Sequence, residues 1–430
     1  MALNHELKFF NPVEDFVKIA KYCRHNELPK KEVFSEILFK QWRLERPDFV
    51  LSVLGGNEDA FRQKYLLRIR AGVRKVISST RTIFIFGGGC TGVDEAIASS
   101  LKEEQMLEWT GTEASRFYLL GVNKWDHVFH HQEIADYERK SDDIYEYVVD
   151  HKITSEDSDS VRLNYLCSHF FFDQDAKIRA ALEIALATHA ISSSEPHRRG
   201  IPSVTLLIGG KPEDINIITH IKKTLTAGIP LVIARGSGGL AALLLRLIKR
   251  TRYLNLNMPR EELENPTWQK PAVKIFTKAG VAEDQQEHLL SEFWDLLKYA
   301  SFISIYALDR SDDTLDGAVL KALYQAAARS GVDSLSVAIT WNRCDRVVRR
   351  NILNGTDIND RANISDICLQ ALTSGSLEFV QLFLEAGFEV FFIFTQYFHY
   401  FLIFMSYTMF PANNTTSCVI ELWNRIVKQF

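Results

Sequence analysis

The chain lacks an excess of positive charge, paired-cysteine spacings and a leader-like N-terminus, and each absence removes a class of function. Lysine and arginine number 50 against 54 acidic residues, a formal net charge of −4. Nucleic-acid partners call for a basic face, so nucleic acid is excluded as the main partner. The six cysteines (Cys23, Cys90, Cys167, Cys344, Cys368 and Cys418) form no CxxC and no zinc spacing. Scattered thiols of this kind suit a reducing cytosol better than a disulfide framework. The opening MALNHELKFFNP holds no apolar stretch of signal-peptide length. Nucleotide signatures are missing as well. No segment reads GxxxxGK followed by Ser or Thr, and GGGCTG lacks the GxGxxG spacing with an acidic residue ending a second strand. A P-loop nucleotidase and a hydride-transfer dehydrogenase both fall away.

What remains is an ordinary globular composition. Hydrophobic residues make up 46% and charged residues 24%, enough for a sizeable core and for two or three domains. In residues 1–45, DFVKIAKYC and KKEVFSEILFKQW place apolar residues at helical spacing, which predicts a helical N-terminal segment. From 46 to 310, seven apolar runs of strand length alternate with helical stretches. The runs are FVLSVLGG, RTIFIFGGG, FYLLGV, LCSHFFF, PSVTLLIGG, PLVIARGSGG and SFISIYAL. This alternation predicts an α/β fold with a Rossmann-like, doubly wound parallel sheet. The acidic SEDSDS at 155–160 reads as a surface loop. Past 310, RCDRVVRRNILNG ending at Gly355 aligns with GSLEFVQLFLEAG ending at Gly387, an offset of 32 residues. That is close to the ankyrin period of about 33, and both blocks end in a helix followed by glycine. Residues 311–388 therefore read as the start of an α-helical, ankyrin-like repeat array.

Four strand-to-helix turns carry glycine: Gly55-Gly56, Gly87-Gly88-Gly89 with Thr91-Gly92, Gly209-Gly210, and Gly236-Ser237-Gly238-Gly239. In a parallel sheet such turns lie at the carboxyl ends of the strands, where open α/β sheets place their ligand crevice. The helix that follows presents unpaired N–H groups to a phosphate. The candidate ligand-binding residues are Gly55, Gly56, Gly88, Gly89, Thr91, Gly92, Gly209, Gly210, Gly236, Ser237 and Gly238, with Thr91 and Ser237 offering hydroxyls. Tight turns and close helix–sheet packing explain the same glycines without a ligand.

The remaining polar residues assemble no catalytic constellation and no metal site. Asp94 and Glu95 meet the dipole of the helix after GGGCTG, although Glu95 is also placed to face the crevice as a carboxylate. His130-His131 has no third ligand nearby and reads as a solvated pair. His169 reads as a core histidine. Cys90 stands at a helix N-terminus, a position that lowers a thiol pKa. Arg198-Arg199 precedes a strand, where it could reach a phosphate but reads more readily as an exposed loop pair.

The blocks FVLSVLGG, TIFIFGGGCTGVDEAIASSL, LNYLCSHFFF, GIPSVTLLIGGKPEDINIITHI, GIPLVIARGSGGLAALL, LSVAITWNRCDRVVRRNIL and ALTSGSLEFVQLFLEAG occur in that order. Together, over about 47–387, they resemble the N-terminal homology region of melastatin-type transient receptor potential (TRPM) cation channels. TWNRCD at 340–345 and SGSLEFVQLFLEAG are the most specific. The resemblance implies a SLOG-type Rossmannoid domain over 46–310 and ankyrin-like helices after it, on the cytoplasmic side of a homotetrameric, calcium-permeable channel. It also implies an ADP-ribose-type nucleotide as ligand, a regulatory rather than an enzymatic role, and a pore far downstream of these blocks. Arg235 stands where the family usually has an acid before GSG, Gly239 where arginine follows, and Ala242 where aspartate is common.

Residues 390–410, VFFIFTQYFHYFLIFMSYTMF, carry no charge and at about 1.5 Å per residue are long enough to cross a bilayer core of about 30 Å. A membrane anchor, a buried helix of the next repeat, and a read-through tail on a chain truncated before its pore all remain open for 389–430. Three functions also stay open: a ligand-sensing and assembly region of a TRPM-like channel, a nucleotide-processing SLOG enzyme with Glu95 as its first residue to test, and a scaffold without ligand.

Overall fold

The computed structural model describes residues 4–11, 16–56, 63–109, 116–140, 144–148, 160–188, 200–251, 266–330 and 376–386, except 79, 175, 176 and 312, with scattered positions between 335 and 371. The chain divides into two compact units, Met1–Val332 and Asp333–Phe430.

The first unit is built on a sheet of ten strands: β1 (Asn4–Asn11), β2 (Phe16–Arg24), β3 (Phe49–Gly55), β4 (Thr82–Phe86), β5 (Phe117–Lys124), β6 (Tyr145–Val148), β7 (His169–Asp173), β8 (Ser203–Ile208), β9 (Leu231–Arg235) and β10 (Ile303–Ala307). Their order across the sheet is β10-β9-β8-β3-β4-β5-β7-β2-β1-β6. All neighbours run parallel except β1 and β2, which pair antiparallel from Asn4↔Cys23 to Asn11↔Phe16. Consecutive residues of a strand point to opposite faces. Because β4, β7 and β8 are buried at every position, both faces of the sheet are covered along these strands, as parallel sheets require.

The helices are α1 (Lys31–Ser35, continued as a π-helix over Glu36–Gln41), α2 (Gln63–Ile77), α3 (Gly92–Ser100), α4 (Lys102–Trp109), α5 (His131–Lys140), α6 (Ile178–Thr188), α7 (Ile215–Thr226), α8 (Gly239–Thr251), α9 (Pro266–Lys278), α10 (Glu283–Leu297) and α11 (Leu315–Ser330). One core joins β3, β8 and β9 to α7, α8, α9 and α10 through residues such as Leu207, Ile233, Phe276 and Phe293. A second joins β4, β5 and β7 to α1 and α6 around Phe34, Ile85, Phe171 and Leu182. Helix α11 packs on β8, β9 and β10 within the first unit. In the second unit, α12 (Leu377–Glu385) buries Phe379, Val380, Leu382 and Phe383.

The expected parallel sheet is thus a mixed one, and the helical reading of the first forty residues is corrected. Helix begins only at Lys31; Asn4–Asn11 and Phe16–Arg24 are strands. The apolar residues of DFVKIAKYC satisfy helical spacing and alternation alike. Pairing decides between them, since Ala20 and Tyr22 face the core opposite Leu7 and His5. Val17 and Ile19 are left on the outer face, each 51% exposed. Of the two aligned ankyrin-like blocks, the one ending at Gly355 falls almost wholly outside the described residues, as does the 389–430 tail, whereas the one ending at Gly387 carries the helix Leu377–Glu385. Among the described residues, no helix is long and apolar enough to cross a membrane.

Candidate functional site

The sheet order gathers the glycine turns. β9, β8, β3 and β4 are consecutive neighbours, and all four run parallel. Their turns therefore line one continuous edge. From β3 the chain winds outward through β4, β5 and β7, then returns through α6 to β8 on the other side of β3. This reversal makes the β3–β8 boundary the topological switch point, where open sheets leave a crevice at their carboxyl ends.

Three of the turns touch one another at that boundary. A Cβ added to Gly56 would lie 3.2 Å from Gly210 Cα, so the β3 and β8 turns meet backbone to backbone. The Gly209 N–H donates to Ser237 Oγ at 2.9 Å, and that hydroxyl donates in turn to Ala234 O at 2.6 Å. Ser237 thereby ties the β8 turn to the β9 turn. The first amides of α8 are also engaged: Leu240 N–H donates to Gly210 O and Ala241 N–H to Gly209 O. Gly236 is exposed. Gly238, at φ +85°, opens on space, since a Cβ there meets nothing within 4 Å. Arg235 binds Asp309 beyond β10 at 2.9 Å, a bond that holds the Asp309 carboxyl below its usual pKa. The unusual basic residue before GSG thus finds its acid in the turn just past the neighbouring strand.

The β4 turn is different. Asp94, in the first turn of α3, accepts the Gly87 N–H at 3.3 Å and the Gly89 N–H at 3.1 Å. Burial pushes its carboxyl above the ordinary aspartate range, and the Gly89 and Gly87 amides and Arg179 only partly offset this. The 160–166 segment crosses above the turn. Asn164 takes Gly88 O through its backbone N–H and Gly89 O through Nδ2, and the Cys90 N–H donates to Arg162 O. Asn164 Nδ2 also reaches Glu95 Oε2 at 2.8 Å, which places Glu95 beside the crossing segment. Thr91 is exposed and Gly92 half-buried. At Cys90 burial outweighs the lowering expected of a helix N-terminus and, with Glu95, pushes the thiol pKa up to about 12.

Beneath the β3 and β4 ends lies an ionic cluster that sequence reasoning did not single out. Arg179 on α6 donates to Val53 O and Ile85 O, and through Nε to Glu183 Oε1 at 3.1 Å. Glu183 also accepts from Ser52 Oγ and pairs through Oε2 with His220 Nε2 at 2.9 Å. Its side chain is 1% exposed. The available signal was an arginine and a glutamate four apart in an otherwise apolar helix, IRAALEIALAT.

The other singled-out residues sit apart from the crevice edge. His130 pairs with Glu133 and His131 with Val128 O. His169 is buried on Trp42, ring centroids 4.6 Å apart, and burial with Lys21 and Lys18 pushes its pKa down to about 3. Arg198 and Arg199 lie outside the described residues. Among the described residues no three His, Cys, Asp or Glu side chains cluster as metal ligands.

A mostly parallel sheet with a switch point and glycine turns at its carboxyl edge defines a Rossmann-like α/β domain of the open-sheet kind. Residues 20–295 match the family described as SLOG in TRPM, and the chain belongs to that family. It is 27% identical over 390 residues to a transient receptor potential cation channel subfamily M member-like 2 of Nematostella vectensis, covering 86% of this chain and 24% of that one. To the transient receptor potential cation channel trpm of Drosophila melanogaster it is 26% identical over 380 residues, with coverage of 86% and 18%. To human transient receptor potential cation channel subfamily M member 5 it is 23% identical over 397 residues, with coverage of 87% and 32%. The chain thus spans a third or less of the length of these curated relatives.

Proposed function

We propose that this chain forms the regulatory, ligand-sensing and assembly region of a TRPM-like cation channel, held on the cytoplasmic side of the membrane. The ligand is an anionic small molecule of the ADP-ribose type, bound along the carboxyl edge of β3, β8 and β9 and not turned over. The observation that carries this reading is the meeting of the Gly55-Gly56, Gly209-Gly210 and Gly236-Ser237-Gly238 turns at the switch point. Backbone brought this close, without side chains in the way, is what recognition of a phosphate-bearing ligand calls for. Partner subunits are further copies of the chain, a reading that draws on the relatives being channels. Titration calorimetry of the full chain with ADP-ribose and related adenine nucleotides tests it. Saturable heat without product is expected; no heat and no thermal shift with any of them overturns the ligand.

A further inference from the structure

Not all four glycine turns are equally available to an anion. Two amides of the GGGCTG turn, those of Gly87 and Gly89, both point at one carboxylate, Asp94. A carboxylate presents two oxygens to a pair of amides much as a phosphate does. The fit is close: a Cβ added to Gly87 would lie 2.4 Å from Asp94 Oδ2. The 160–166 segment then closes the turn from above through Asn164 and the Cys90–Arg162 bond. At the β9 turn the opposite holds, with Gly236 exposed and Gly238 facing open space.

We infer that Asp94 is a built-in occupant of the β4 turn, an internal anion that excludes ligand phosphate there and confines an anionic ligand to the turns after β3, β8 and β9. This rests on the proposed nucleotide reading for the identity of the ligand, but not for the occupancy of the turn. The charged and titratable groups that interact with the Asp94 carboxylate are Arg179 from α6 and the thiols of Cys90 and Cys167; Glu95 and Arg162 act in turn on Cys90, and Lys18 of β2 and Glu95 on Cys167.

The test uses the full chain labelled with nitrogen-15 at its 22 glycines, with inorganic phosphate and ADP-ribose as probes. In the wild type, ADP-ribose should move the Gly56, Gly210 and Gly238 amides and leave those of Gly87 and Gly89 in place. In Asp94→Ala, inorganic phosphate should move Gly87 and Gly89. Its apparent affinity there should rise at least about a hundredfold, given one like charge removed at about 4 Å in an effective dielectric near 20. Asp94→Asn keeps an acceptor for one amide and guards against a variant that fails to fold. In it, the wild-type pH titration of the Gly87 and Gly89 shifts, centred above the ordinary aspartate value, should vanish. Movement of Gly87 and Gly89 by either probe in the wild type overturns the inference while leaving the nucleotide reading intact. So does a folded Asp94→Ala in which phosphate leaves both amides unmoved. If ADP-ribose moves no amide at all, the nucleotide reading fails, and the phosphate comparison between wild type and Asp94→Ala still decides the role of Asp94.

Discussion

Replacing Glu183 by glutamine should destabilise the first unit by about 3 kcal/mol, because it removes the negative charge that compensates a buried guanidinium. The Arg179 side chain is 14% exposed and that of Glu183 1%, so solvent does little to screen them. Glutamine preserves the volume and one acceptor oxygen for Arg179 and Ser52, and its amide group still lies beside the His220 ring. Cavity and hydrogen-bond terms are therefore small, and the loss is mainly electrostatic. With an m-value of roughly 3 kcal/mol/M, the urea midpoint should fall by about 1 M, read by fluorescence of buried tryptophans such as Trp42 and Trp294. The pH dependence has a definite sign. Burial pushes the Glu183 carboxyl up, but the charges and bonds of His220 and Arg179 and the Ser52 bond outweigh it, holding the pKa below the ordinary 4.5. A depressed folded-state pKa adds stability that is complete above the unfolded value and is lost as pH falls through the folded one. The gap between wild type and Glu183→Gln should be full at neutral pH and shrink below pH 4.5. Replacing Arg179 by Met and Glu183 by Leu together should cost less than Glu183→Gln alone, since a buried pair exchanged for apolar groups is often neutral. A loss below about 1 kcal/mol at neutral pH, or a double variant worse than the single one, would refute the reasoning.

Two further outcomes test the glycine edge and its thiol. Gly88→Ala combines φ +75° with a Cβ 2.7 Å from Gly121 Cα, so it must part β4 from β5 and should cost more than about 4 kcal/mol, whereas Gly238→Ala, with open space around it, should cost only the left-handed strain of about 1–2 kcal/mol. Equal urea midpoints for the two would contradict the packing described for the β4 turn. For Cys90, whose pKa burial raises to about 12, the rate of alkylation by iodoacetamide should still be climbing at pH 9. A plateau below pH 8, followed peptide by peptide in a mass spectrometer, would show an activated thiol instead.

The strands legible in the sequence were mostly those whose burial is continuous or nearly so, with the edge strand β10, where Ile305 is exposed, read from its apolar run alone. The seven runs from FVLSVLGG to SFISIYAL each became a strand, because a parallel strand covered on both faces needs apolar side chains at nearly every position and glycine where it turns into a helix. The strands that escaped notice, β1, β2 and β6, extend the sheet beyond β7, where one face is open. There the pattern is diluted by Lys8, Lys18 and Glu146, and β6 is only four residues long, recruited by parallel pairing with β1. Such a strand is defined by its partner more than by its own composition, and no window of sequence contains the partner. The same holds for the antiparallel hairpin, whose register places Ala20 and Tyr22 inside and Val17 and Ile19 outside.

The glycine turns were readable one at a time, but their value as a site depends on two things that linear sequence does not carry. The first is strand order. Turns separated by more than a hundred residues, such as Gly56 and Gly210, touch because the chain doubles back at β3, and only the topology makes neighbours of them. The second is competition for donors. A glycine turn at a helix N-terminus advertises free amides, yet the protein supplies its own acceptors wherever it can bury them: Asp94 for Gly87 and Gly89, and Gly210 O and Gly209 O for the first amides of α8. An amide already bonded inside the fold gives a ligand only the difference between two hydrogen bonds, which is small. The count of glycines therefore overstates the anion-binding capacity of this edge. What discriminates between the turns is the space left above them, closed over Gly87 to Gly89 by Asn164 and open at Gly238.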